Sequence, residues 1–192
     1  MTMTMADIET ARAPHLVPLA SQARYSGAGA AVGGALALAV LLPTADPGDL
    51  RGSSLAGQLA VTAAVVLLWA YQQFGRRSRV RTAGEYAAAL PAPGTLWQDT
   101  AARSSDLRHG GVVMGLVAAA WALVCTQLGH LPLAGAAFPL MMLLGVVQSR
   151  QTVRWERAHG VVLWKPALTR VGPGAYGRSP HYATPAEVGP QR

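Results

Sequence analysis

Four long apolar stretches, separated by polar segments that carry arginine, dominate the pattern along the chain. The firmest runs from Leu55 to Phe74, 20 positions without a charged residue. A helix that rises about 1.5 Å per residue crosses the ~30 Å hydrocarbon layer over that length. Residues 111–128 and 131–148 form two further spans, joined by a short turn at Gly129 and His130. We therefore predict an all-α membrane protein whose last two helices form a tight hairpin.

The first apolar stretch, residues 25–42, is weaker, because four glycines dilute its strongly inserting residues. A cleaved signal peptide is the competing interpretation, although Pro43-Thr44-Ala45 is a poor cleavage site. If it is retained, the stretch completes a four-helix transmembrane domain over residues 25–148. Cleavage would leave the orientation of the later spans unchanged.

Arginine is concentrated on one side of the predicted spans. The loop 75–110 carries six arginines against three acidic residues, and the chain after residue 148 carries six arginines and Lys165 against two glutamates. Because cytoplasmic loops are enriched in Lys and Arg, we expect this loop and both termini to be cytoplasmic. The bias toward Arg, Ala, Gly and Pro is typical of GC-rich codons and indicates a bacterial genome. Together with the apolar spans, it predicts a protein of the bacterial plasma membrane.

The segments outside the spans have few apolar residues. Residues 1–24 and 171–192 are expected to be disordered, because Gly, Pro and polar residues cannot form a core. The loop 75–110 is expected to hold two short surface helices, over Gly84–Leu90 and Thr95–Arg108, separated by a Pro-Gly turn.

Two groups of arginines are candidate contacts for anionic lipid headgroups or an acidic partner. One group follows the second span, and the other lies where the fourth helix is expected to continue to Gly160. Spacing of i, i+4 and i+7 puts the second group on one helix face below the membrane. The alternative is that these arginines only orient the spans. The seven residues are Arg76, Arg77, Arg79, Arg81, Arg150, Arg154 and Arg157.

The segment 149–170, a basic helix followed by an apolar stretch, contains four consecutive apolar residues, Val161, Val162, Leu163 and Trp164. Each would forfeit roughly 1.5–3 kcal/mol of possible burial if it were left in water. Because Trp and Lys are frequent anchors at the membrane interface, the segment is predicted to contact lipid or a protein partner. Packing on the protein's own cytoplasmic loop is the alternative.

Two motifs with small residues four positions apart indicate close helix packing. They are Gly29 to Gly33 in the first span and Gly111 to Gly115 in the third. Glycine at these positions lets two backbones approach in lipid, where van der Waals contact drives association. Chance is the alternative, since Gly and Ala are abundant. Neither motif is a phosphate loop, because no strand precedes it and no Lys-Ser/Thr pair follows.

The spans contain no Asp, Glu, Lys or Arg, which argues against an intramembrane enzyme and against proton-coupled transport. A single Cys125 and five scattered histidines have no metal-ligand spacing, so no metal and no cofactor is expected. Nucleic-acid binding is not expected either, because the arginine run 76–81 adjoins a span and lacks interleaved aromatic residues.

By exclusion, the sequence predicts a non-enzymatic accessory, scaffold or assembly subunit of a larger bacterial membrane system. The protein is expected to form a homo-oligomer or to bind a membrane-protein partner. Its cytoplasmic side is expected to contact the bilayer through anionic lipid headgroups. The alternative is a small transporter or channel component that oligomerisation completes.

Overall fold

A computed structural model describes residues 16–92 and 100–186 of the chain. Four of the described helices are long and apolar enough to cross a membrane, which confirms the predicted all-α class. The helices are α1 (Leu19–Leu41), α2 (Gly52–Phe74), α3 (Arg76–Ala87), α4 (Thr100–Leu123), α5 (Ala137–His159) and α6 (Leu168–Arg178). The short strands are β1 (Leu16–Pro18), β2 (Leu90–Pro91), β3 (Val161–Pro166) and β4 (Tyr182–Pro185).

The strands form one small sheet in the order β1-β3-β4-β2. Strand β3 pairs antiparallel with both β1 and β4, and β2 pairs parallel with β4. The sheet lies where α1 begins and α5 ends, and we call this side of the bundle the sheet end. At the opposite side, the hairpin end, the imidazole Nδ1 of His130 lies 3.5 Å from a carboxylate oxygen of Asp49.

The apolar segment Val161 to Trp164 forms most of the central strand β3. Leu163 and Trp164 are fully buried within the chain, whereas Val161 and Val162 keep partial exposure. The indole Nε1 of Trp164 donates a hydrogen bond of 2.9 Å to Oγ1 of Thr184. The prediction of a lipid or partner contact is therefore wrong for Leu163 and Trp164, because their side chains are fully buried within the chain.

Both segments that were expected to be disordered contribute structure to this end of the bundle. Residues 16–24 form β1 and the start of α1, and the tail continues as α6 and β4. The prediction of disorder is wrong for these parts, because pairing with β3 provides the backbone hydrogen bonds and burial that local composition lacks. Residues 1–15 and 187–192 lie outside the described part of the chain.

The loop 75–110 is also shorter than predicted. Helix α3 begins at Arg76 rather than Gly84, and α4 begins at Thr100 and runs directly into the third span. The prediction of a separate surface helix over Thr95–Arg108 is therefore wrong from Thr100 onward. Residues 93–99 lie outside the described ranges. The extension of α4 is fastened by a salt bridge of 3.0 Å from Nε of Arg170 to Oδ1 of Asp106.

Helices α1 and α4 pack most extensively, and their crossing brings the two glycine motifs together. Gly29 faces the backbone of Gly111, and Gly33 faces the backbone of Gly115. A Cβ added at Gly29 or Gly33 would overlap the facing carbonyl group, while one at Gly115 would lie 3.0 Å from the carbonyl oxygen of Gly29. The motifs therefore pack against each other within one chain.

Helix α5 packs against both α1 and α2. It lies against α1 where a Cβ at Gly34 would come within 2.7 Å of the Pro139 ring. Helix α2 packs near the hairpin end, where Gln58 accepts a hydrogen bond of 3.0 Å from the backbone N–H of Leu133. Near the sheet end α5 continues to His159, and Gly160 follows in the left-handed conformation (φ 62°) that releases the chain into β3.

Candidate binding site at the sheet end

All seven candidate arginines lie at the sheet end and are exposed. Four belong to α3 and three to the last turns of α5. The two helices meet where the Tyr86 hydroxyl of α3 lies 3.0 Å from the Thr152 hydroxyl of α5. The two groups of arginines therefore lie on neighbouring helices at the sheet end. No contact between the two groups is seen among the described residues.

One face of α3 is polar and points toward the bundle. Ser78, Thr82 and Tyr86 are spaced i, i+4 and i+8, so their side chains lie in a row. Tyr86 is the buried residue of this helix, and its ring makes an edge contact with the His181 ring at 5.4 Å between centroids. This row forms one wall of a cavity.

The cavity, which we call the sheet-end pocket, has a volume of about 280 Å³. Residues of α1, α2, α3, α5, β3 and α6 enclose it, so it exists only in the folded chain. Hydroxyl, amide and charged groups make up much of its lining. Its polar residues include Ser78, Arg81, Thr82, Glu85, Ser149, Lys165, Tyr176 and His181.

Lys165 is the single lysine of the chain, against 15 arginines. Strand alternation puts it on the same face of β3 as Leu163 and on the opposite face from Trp164. The residue is 7% exposed, and its ammonium lies 4.3 Å from the centroid of the Tyr176 ring, a cation–π contact. The Tyr176 hydroxyl in turn donates to Oε1 of Gln22 on α1 at 3.2 Å.

Burial controls the protonation of the pocket. It lowers the pKa of Lys165, and the charge of Glu85 partly opposes that shift. Burial also lowers the pKa of His181, with the Lys165 ammonium acting in the same direction and Glu85 in the opposite one. The pKa values of Tyr86 and Tyr176 are raised, mainly by burial. These shifts favour neutral hydroxyl groups and a neutral His181 imidazole in the pocket, which the charged side chains of Lys165, Arg81 and Glu85 also line.

Sequence reasoning missed this pocket. Tyr176 and His181 lie in the tail that was expected to be disordered, and Lys165 was read as part of the positive charge of that tail. One sequence signal was available: a lone lysine in a chain whose other cations are all arginine. That signal marks a position, but the partners of Lys165 come from distant segments.

The described residues offer no obvious metal centre. Within residues 16–92 and 100–186, no group of three or more His, Cys, Asp or Glu side chains could hold a metal ion. Cys125 lies apart from the pocket, in a π-helical turn at Val124–Leu128 that follows α4. The arrangement at the sheet end is suited to binding an anion by the Lys165 ammonium and the hydroxyl groups of Ser78 and Thr82.

Comparison of the chain with protein-family models, curated proteins and solved structures finds no match. The class of the protein therefore rests on its own structure. Four apolar helices, capped at one end by a small sheet and two short helices, are consistent with an integral membrane protein.

Proposed function

We propose that the protein is a non-catalytic accessory or assembly subunit of a bacterial plasma membrane, with its sheet end and both termini in the cytoplasm. The asymmetric distribution of charge on the bundle carries this proposal. Seven exposed arginines surround the sheet end, whereas the hairpin-end loop 42–51 carries Arg51 with two aspartates. Arginine retained beside apolar spans is typical of the cytoplasmic side.

The arginines are also the groups proposed to contact anionic headgroups. Arg150, Arg154 and Arg157 continue the face of a membrane-spanning helix and are exposed, so they would lie at the depth of the lipid phosphates. Each basic residue near an anionic membrane surface contributes about 1 kcal/mol of attraction. This contact would hold the sheet end against the inner leaflet, where a partner subunit can reach it.

A non-catalytic role is supported by what the polar groups of the sheet end do. Tyr86 is bonded to Thr152, and Glu156 accepts a hydrogen bond of 2.9 Å from the backbone N–H of Leu163. These groups connect helices to the sheet. Such bonds fix a surface for binding and leave no paired nucleophile and base at those positions.

Orientation is tested with reporter fusions after Asp49, Ala88, His130 and Gly189. We expect them to report outside, inside, outside and inside, respectively, because the arginines of the sheet end are retained in the cytoplasm. An outside reading after Ala88 would overturn the proposed orientation.

The accessory role is tested by purification in mild detergent followed by mass spectrometry of stoichiometric partners. A variant with Arg150, Arg154 and Arg157 changed to Gln is expected to lose anionic lipid or partner protein while remaining in the membrane. Arg51→Gln, an exposed arginine at the hairpin end, is the control and is expected to keep both. Identical lipid and partner content in all three proteins would contradict the role of the basic surface.

A further inference from the structure

Lys165 is a buried cation whose charge is only partly offset by a neighbouring carboxylate. Its ammonium faces the Tyr176 ring, and no described carboxylate forms an ion pair with it. Glu85 also lines the pocket and partly offsets the Lys165 charge, and its carboxylate lies 3.4 Å from Nε of Arg81, a second cation of the lining. A desolvated cation is costly unless an anion compensates it, so the pocket is electrostatically suited to a negatively charged ligand.

The hydrogen-bonding groups of the pocket favour an anion with several oxygens. Hydroxyl groups line the pocket from α3, α5 and α6. Ser149 donates to the carbonyl of Val146 and Tyr176 donates to Gln22, so Ser78 and Thr82 on α3 are the hydroxyl donors that a ligand would meet. The hydroxyl donors on α3 and the Lys165 ammonium on β3 reach a ligand from two directions. This arrangement suits the divergent oxygens of a tetrahedral phosphate better than the planar pair of a carboxylate, for which an Arg fork is the usual partner. The cavity volume of about 280 Å³ leaves room for a phosphate and a small substituent.

The pocket also opens at the depth where a lipid phosphate would lie. Its wall includes Gln73, one residue before the end of α2, and Gln148, which ends the apolar part of α5. The side chain of Arg24, near the start of α1, reaches the same level and donates from Nε to the Ser149 hydroxyl at 3.3 Å. The apolar spans end at these residues, so a headgroup could enter while its acyl chains stay in the bilayer.

From these observations we infer that the sheet-end pocket is a binding site for a phosphate group, with the Lys165 ammonium as its central cation. The phosphate belongs either to a lipid headgroup or to a small soluble phosphate ester. This inference rests on the proposed membrane location of the sheet end. It differs from the headgroup contact proposed for the exposed arginines, because it requires one enclosed site.

The test measures binding to the purified full-length chain in neutral detergent by native mass spectrometry. The lipid probes are phosphatidic acid and diacylglycerol, which share acyl chains and differ in the phosphate. The soluble probes are glycerol 3-phosphate and inorganic phosphate. We expect phosphatidic acid to bind and diacylglycerol to bind far more weakly. Binding of glycerol 3-phosphate as tight as that of phosphatidic acid would identify a soluble ligand and equally support the site.

Two variants locate the binding. Lys165→Met removes the cation, and Thr82→Leu fills the cavity without changing any charge. Each is expected to weaken phosphate binding by about tenfold or more, equivalent to ~1.4 kcal/mol. The control Arg51→Gln removes one exposed charge at the hairpin end, far from the pocket, and is expected to change binding within about twofold. Thermal unfolding of each variant establishes that it is folded. If Lys165→Met does not fold, the binding measured for Thr82→Leu tests the site alone.

Three results would overturn the phosphate site. These are no binding of any phosphate probe, unchanged binding in both pocket variants, and equal weakening by Arg51→Gln. The last of these would show that surface charge attracts the probe. Failure of the reporter fusions would overturn the proposed orientation but would leave binding in detergent intact, so the two proposals fail separately.

Discussion

The crossing of α1 and α4 predicts opposite effects for the same substitution at different glycines. Gly33→Ala adds a methyl group where the backbone of Gly115 already lies, and a carbonyl group cannot rotate away as a side chain can. Gly110→Ala adds the same methyl group on α4 where no atom lies within 4 Å. The second substitution is therefore a matched control within the same helix pair.

The expected magnitudes follow from two opposing terms. Alanine gains up to about 1 kcal/mol over glycine in a helix. Overpacking in a rigid contact costs about 1–3 kcal/mol. Gly33→Ala should therefore destabilise the fold by about 1–2 kcal/mol, while Gly110→Ala should stabilise it by about 0.5–1 kcal/mol. Gly115→Ala should fall between them, because its Cβ would meet the Gly29 carbonyl oxygen at 3.0 Å, which a small shift relieves.

The assay is reversible unfolding in mixed micelles, with the mass of the detergent-solubilised particle measured in parallel. Because the two motifs contact each other within one chain, Gly33→Ala should lower the free energy of unfolding without changing the oligomeric state. Equal stability of the Gly33 and Gly110 variants would refute the close crossing. A Gly33 variant that keeps its stability but dissociates would show that the motif serves contacts between copies instead.

Three further predictions concern the sheet end. Trp164→Ala should cost about 3–5 kcal/mol in thermal or denaturant unfolding, because the side chain is fully buried, whereas Trp121→Ala, at a position 43% exposed, should cost clearly less. Arg170→Gln should cost about 1–2 kcal/mol by leaving the buried Asp106 carboxylate without its cation, and adding Asp106→Asn should recover part of that loss; no recovery would contradict the ion pair. Because the pKa of His181 is lower in the folded chain, the unfolded chain binds more protons below a pH of about 6.5, and the free energy of unfolding should fall as the pH decreases from there. If His181→Asn leaves this dependence of stability on pH unchanged, the prediction is contradicted.

The amino-acid sequence by itself determined the membrane-spanning part of the protein. A run of 18–20 apolar residues has few alternatives to a helix in lipid, because every backbone polar group must be bonded within the segment. The same local rule predicts the glycine motifs as points of close approach. Which helices meet there is not local information, and the structure pairs Gly29 with Gly111 and Gly33 with Gly115.

Tertiary structure decided the sheet end. Strand β3 is an interior strand because β1, from the beginning of the chain, and β4, from its tail, pair with it across more than 140 residues and about 20 residues, respectively. Composition predicted disorder for both flanking segments, because neither can bury a core unless β3 is present. Because its surroundings also come from distant segments, Lys165 could be recognised from the sequence as the single lysine, but not as a residue that lines a pocket. Its surroundings are assembled from six elements, and burial by those elements changes the pKa of its ammonium.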